Sequence, residues 1–174
     1  MSAVEATCET HRSRITPRET PTGFAAGTRI LTTLGKLPAE TVRSGDRVID
    51  ADGATHVVHE VRRLSFTGPL VRIHAGALDL AMPTSDLLVI PEQRISITCP
   101  QMQLMFGRPA GLAFARDLLG CGADPVTASR RLDMIEIRCG GPAILWANGT
   151  PVLCPGAAPT PASRTTGEVR NDIQ

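Results

Sequence analysis

The sequence predicts a mostly β, mostly antiparallel domain, and three observations predict it. Short runs rich in β-branched residues recur along the chain, Gly, Pro and Asp separate them, and a single stretch carries apolar residues at helical spacing. The runs are Arg29-Ile30-Leu31-Thr32, Arg47-Val48-Ile49, Val57 to Val61, Leu70-Val71-Arg72-Ile73, Leu87 to Ile90, Arg94 to Ile97, Met134 to Ile137 and Ile144-Leu145-Trp146. Asp52-Gly53 joins the second run to the third. It reads as a type I′ hairpin turn, whose two central residues need positive φ. Leu34-Gly35-Lys36 after the first run and Cys139-Gly140-Gly141-Pro142 before the last read as two further hairpins. Gly111 to Leu119 (GLAFARDLL) is the one predicted helix, ended by Gly120. No repeat of 20 to 50 residues is visible, which removes solenoids and propellers.

Composition sets the limits around this plan. The 174 residues, 42% hydrophobic and 20% charged, are enough for one substantial core. Residues 1–22 are polar and contain Pro17 and Pro21, and residues 156–174 are small and polar. Both are expected to be tails, the second disordered, around a β domain spanning 23–155. Eighteen basic and 17 acidic residues are mixed along the chain, giving a net charge of +1. No field of one sign is available to draw in nucleic acid, and 3% aromatic content with no Tyr supplies no stacking platform. The first residues, MSAVEATCETHRSR, lack the apolar run of a Sec-type signal peptide, and no segment has the roughly 18 apolar residues of a membrane helix. A soluble chain is expected, cytoplasmic or exported by a signal-independent route. Five cysteines at irregular spacing argue for reduced thiols over a disulfide framework.

Three phrases carry a family resemblance: GFAAGTRILTTLGKLPAETVRSGDRVIDADG (23–53), PLVRIHAGALDLAMPTSDLLVIPEQRISI (69–97) and ILWANGTPV (144–152). Within the first, Gly27 and Gly35 permit sharp reversals on either side of an apolar strand. Ser44-Gly45-Asp46 then turns the chain into the next strand. The chain resembles the Hint (Hedgehog/intein) family, in particular its branch of small bacterial Hint-domain proteins, from about Gly23 to Val152. The resemblance implies a flattened, pseudo-twofold β horseshoe with one short helix. It also implies a chemistry: a first-residue Cys or Ser attacks the preceding carbonyl in an acyl shift, and an internal His protonates the leaving amide nitrogen.

This chain departs from that pattern at each position the chemistry requires. Where the family begins Cys-Phe, this sequence has Gly23-Phe24, so the nucleophile is missing. Where the family reads Ser-Pro-x-His-Arg, this sequence reads Ile90-Pro91-Glu92-Gln93-Arg94, so Ile90 replaces the hydroxyl and Gln93 replaces the His. Glutamine donates hydrogen bonds but delivers no proton near neutral pH. In the last predicted hairpin an Asp and a His give way to Cys139 to Pro142. The resemblance therefore implies a degenerate domain, inactive in autoproteolysis, that acts as a structural or interaction module. With 22 residues ahead of Gly23, no folded passenger is expected there. The alternative is residual or partner-dependent self-processing through another nucleophile, Cys8 or Cys99.

Other candidates read more simply as structure. Cys8 and His11 form a C-x-x-H half-site without a second pair, so no metal is expected, and no cofactor either. His56, His59 and His74 read as surface or edge histidines. Cys99 and Cys154 are surrounded by nothing that would lower a thiol pKa. Thr22 and Thr28 flank Gly23 with no base beside them in the sequence. Asp79 and Asp86 read as solvated loop charges and Trp146 as core. A protein or peptide partner is compatible with an emptied active-site groove, with Leu78 to Pro83 as a mobile rim.

Overall fold

The computed structural model describes residues 21–79, 81–98, 110–127 and 130–157. Among them are thirteen strands: Phe24–Ala25 (β1), Arg29–Thr32 (β2), Gly35–Pro38 (β3), Arg47–Ile49 (β4), Thr55–Phe66 (β5), Pro69–Ile73 (β6), Leu87–Val89 (β7), Arg94–Thr98 (β8), Ala110–Phe114 (β9), Ala123–Thr127 (β10), Leu132–Cys139 (β11), Ala143–Ala147 (β12) and Thr150–Cys154 (β13). They form one sheet in the order β10-β6-β7-β1-β11-β5-β4-β2-β12-β13-β8-β9, with β3 paired to β2. The sheet curls on itself into a half-barrel.

Two long strands hold the halves together. β5 pairs with β4 over its first residues and with β11 over the rest, Val58 lying opposite Cys139 and Phe66 opposite Leu132. β11 in turn pairs with β1 through Phe24 and Ile135. Period-2 alternation places one face of each strand inward. Ile30, Val48, Leu145, Val152 and Ile95 from one half meet Phe24, Ile73, Leu87, Ile135 and Ile137 from the other in a single core. A second, smaller cluster joins Leu70, Ile90 and Met134.

Three local expectations are corrected. Residues 111–119 are not a helix: 110–114 are β9, laid antiparallel on β8 with Ala113 opposite Ile95, and a 3-10 turn follows at Ala115–Leu118. The apolar spacing there suits a strand equally well, and Gly111 disfavours a helix by about 1 kcal/mol. Gly120 does end the segment, at φ +81°. Cys139 to Pro142 is not a hairpin, because β11 pairs with β5 and β1 while β12 pairs with β13 and β2. Asp52-Gly53 does connect two antiparallel strands, but Asp52 is not among the residues at positive φ, so the turn is not type I′. The Gly53 N–H donates to Asp50 O at 3.1 Å and Gly53 alone turns left-handed, at φ +84°.

The hairpin with positive φ at both central residues lies elsewhere. Asn148 at φ 48° and Gly149 at φ 75° link β12 to β13. The Asn148 side chain accepts from Arg29 N–H at 2.7 Å and donates to Asp86 O at 3.0 Å, which pins the hairpin to β2 and to the β7 approach.

Candidate functional site

The three positions singled out in the sequence meet at one point. Gly23 O accepts from Ile90 N–H at 3.1 Å, and Ile90 O accepts from Gln93 N–H at 2.9 Å, so the Ile90 to Gln93 turn docks on the residue ahead of β1. The Gln93 side chain completes the ring: Oε1 accepts from Gly23 N–H at 3.0 Å, and Nε2 donates to Leu153 O at 2.7 Å and Arg94 O at 3.2 Å. Gln93 is 1% exposed, so these bonds are made away from water. Ile90 is buried with Leu70 and Met134 and presents only its backbone to the site.

The chemistry of this ring follows from its atoms. A proton delivered to Gly23 N would require a donor acid facing that nitrogen. Gln93 faces it with a carbonyl oxygen, an acceptor, and its neutral amide has no proton to release. Gly23 itself sits at φ +148°, a conformation that side-chain-bearing residues rarely adopt. A Cβ built there would lie 2.9 Å from Ile135 O, a backbone atom of β11. The position is thus matched to glycine by the backbone around it.

One residue earlier the structure supplies something the sequence did not reveal. The Thr22 hydroxyl donates to Glu136 Oε2 at 3.0 Å, so a carboxylate does stand beside it. Glu136 is 4% exposed and its other oxygen accepts from Arg138 Nε, itself 4% exposed. Cross-strand neighbours Arg62 and Glu60 continue the cluster, joined by a 2.9 Å bond. The signal was present in Met134-Ile135-Glu136-Ile137-Arg138, where two opposite charges at i and i+2 interrupt an apolar strand buried on both faces. Beside this cluster a hollow of about 360 Å³ opens, lined in part by Thr22, Arg94, Phe114, Pro142 and Leu153.

The remaining candidates lie away from the ring or outside the described residues. Cys8, His11 and Cys99 fall outside them. Cys154 is fully buried, and burial, reinforced by Cys139 and Glu136, pushes its thiol far up; burial pushes the Cys139 thiol up as well. Thiols held in that form are poor nucleophiles. Thr28 donates its hydroxyl to Ala25 O at 2.7 Å. His56 Nε2 lies 2.6 Å from Asp50 Oδ2. His59 is on exposed β5 backbone beside Gly140, where an added Cβ would lie 3.3 Å from its Nε2. His74 sits between Asp124 (2.8 Å) and Asp86 (3.8 Å) on the surface, and Asp79 bridges to Met82. Trp146 is half-buried, not core, and its Nε1 donates to Asp50 O at 3.1 Å. Among the described residues no group of three His, Cys, Asp or Glu is arranged to hold a metal, and no helix is long and apolar enough to cross a membrane.

Comparison with family models matches residues 22–153 to the Hint domain. The chain belongs to the Hint domain family. Solved Hint-fold structures agree. A bacterial intein-like domain from Clostridium thermocellum superposes with a TM-score of 0.57 at 16% identity, covering 79% of this chain and 100% of that one. A splice-inactive variant of the AceL NrdHF class 3 split intein gives 0.54 at 10% identity, covering 78% and 99%. The gp41-1 intein gives 0.50 at 13%, covering 79% and 100%. At such identities the likeness is one of fold. Comparison with curated proteins found no match. In this Hint domain, then, the ring of Gly23, Ile90 and Gln93 joins the start of β1 to the turn ahead of β8.

Proposed function

We propose that this Hint domain performs no acyl shift at the bond before Gly23 and serves as a structural or interaction module. The observation that carries the reading is the clasp on Gly23: no side chain to attack the carbonyl, no room for one beside Ile135 O, and an acceptor where the leaving nitrogen needs a proton donor. Gln93 has become a strut, tying the start of β1 to β13 through Leu153. The same fold that presents a scissile bond in self-processing relatives here presents a fixed peptide and an open hollow.

The test is the intact mass of freshly purified chain after incubation with hydroxylamine and with thiol. A single species at 18.5 kDa supports the reading; self-cleavage at any bond defeats it. One observation favours a second reading, residual self-processing through a nucleophile foreign to the family. The Thr22 hydroxyl has Glu136 as a base at 3.0 Å, so attack on the Pro21 carbonyl would pass its proton to the carboxylate and then to the Thr22 nitrogen as the amide becomes an ester. Fragments ending at Pro21 and beginning at Thr22 would identify that route, and breaks at Cys8 or Cys99 would identify those thiols.

A further inference from the structure

The hollow beside Thr22 adjoins a second one, and together they make a groove across three strands. On β12, β13 and β8 the inward positions Leu145, Val152 and Ile95 are fully buried, so the alternate residues face outward. Register sets these in two rows, with Ile144 opposite Leu153 and Trp146 opposite Pro151, and β8 alongside through the pairing of Val152 with Ile95. The 360 Å³ hollow covers the Arg94 and Leu153 end. A second hollow of about 500 Å³ covers Trp146, Pro151 and the turn carrying Asp50 and Asp52. Pro142 lines both, and Leu153 of the first lies opposite Ile144 of the second, so the two adjoin along these strands.

The floor carries Pro142, Ile144, Leu153 and Pro151 with the hydroxyls of Ser96 and Thr98 among them, and one uncommitted charge stands at each end. Arg94 places its guanidinium over the Phe114 ring, 5.1 Å from the centroid, and forms no ion pair among the described residues. At the other end Asp50 is committed to His56 and to the N–H groups of Asp52 and Ala54, whereas the exposed Asp52 carboxylate has no partner among the described residues. Trp146 stands against that turn, held by its bond to Asp50 O. An indole ring beside a free carboxylate suits the head group of Lys or Arg. Arg94 on its aromatic ring suits a carboxylate.

We propose that this groove binds an extended peptide segment of a partner protein, with an acidic side chain at Arg94 and a basic one at Trp146 and Asp52. The peptide crosses from β8 over β13 and β12 to the turn, three strand spacings or about 14 Å. That is the reach of four to five extended residues, so the two charges stand about four positions apart with apolar residues between them. The proposal rests on the reading of the Gly23 centre as a module that does not process its own chain.

The sequence holds a single tryptophan, so Trp146 emission reports on the groove directly. The probes are acetylated, amidated pentapeptides titrated into the full chain: one with Glu first and Lys fifth around Leu and Pro, one with Glu and Lys adjacent at the centre, and two with Gln replacing either charge. Isothermal calorimetry provides a second readout. The spaced peptide is expected to bind saturably and about fivefold or more tightly than each of the others. Asp52→Asn should weaken the spaced peptide about fivefold and leave the Lys-to-Gln peptide unchanged, while Arg94→Gln should do the same for the Glu-to-Gln peptide. Both positions are exposed, and circular dichroism of each variant serves as the check on folding. No saturable signal in either readout up to millimolar peptide, or equal binding of all four, would overturn the proposal. Intact mass measured on the same samples separates the two claims, since absent binding with an uncut chain removes the groove proposal and leaves the reading beneath it standing.

Discussion

At Gly23 the fit between residue and surrounding backbone can be measured without any chemistry. A Cβ at φ +148° and 2.9 Å from Ile135 O must displace β11 backbone. Gly23→Ala is expected to destabilise by about 2 kcal/mol, the scale of backbone strain of this kind. In a chain of this size that lowers Tm by about 4–8 °C in a thermal melt. Asp50 makes a different prediction. The hydrogen bond with His56, with help from the Ala54 and Asp52 amides and against the effect of burial, holds its carboxyl below the usual value. A depressed folded pKa stabilises above the unfolded value, near pH 4, and that stabilisation disappears as pH falls through the folded pKa. Asp50→Asn should therefore be less stable than the parent at pH 7, with the difference shrinking as pH drops below about 4 in denaturant titrations. Gly23, Ile90 and Gln93 could be found in the sequence because each stands in a recognisable phrase. Glu136 lies 114 residues from Thr22, so no local pattern could disclose that a carboxylate stands beside that hydroxyl.

The elements repeat the lesson on a longer scale. Strands rich in Val, Ile and Leu were legible because period-2 alternation and burial demand the same residues; Arg29–Thr32 and Arg47–Ile49 fall where their runs predict. Pairing was not legible to the same degree. The Gly-Gly-Pro segment after Cys139 resembles a hairpin turn, yet it carries the chain from β11 to a strand on the far side of β2. The GLAF stretch has the composition of either a helix or a strand, and the neighbouring β8 decides. The hairpin that matters most had a plain signal, Asn148-Gly149, whose residues suit positive φ at both positions. Asn148 also satisfies the backbone of Arg29 and Asp86 while 7% exposed. Asn148→Ala leaves those two groups unpaired and forces Ala into a left-handed conformation. A loss of about 2–4 kcal/mol is expected from urea unfolding.

Across the whole molecule, the backbone packing around Gly23 belongs to the sheet more than to any single side chain. The oxygen that excludes a side chain comes from β11, whose position is fixed by eight residues of register against β5 and by β1 on its other edge. The clasp is completed by Gln93 reaching β13 in the other half. The Hint fold thus persists at 16% identity to a bacterial intein-like domain, while the ring at its centre is built from neutral groups. Restoring two side chains should not by itself restore reaction geometry. The measurement that tests this most directly is the mass of the folded Gly23→Cys/Gln93→His chain after incubation with hydroxylamine. One uncleaved species at full mass is expected, with a Tm below that of the parent. Hydroxylamine-dependent scission between Thr22 and residue 23 would contradict it, showing that the backbone still admits the reaction and that two side chains alone had been lost.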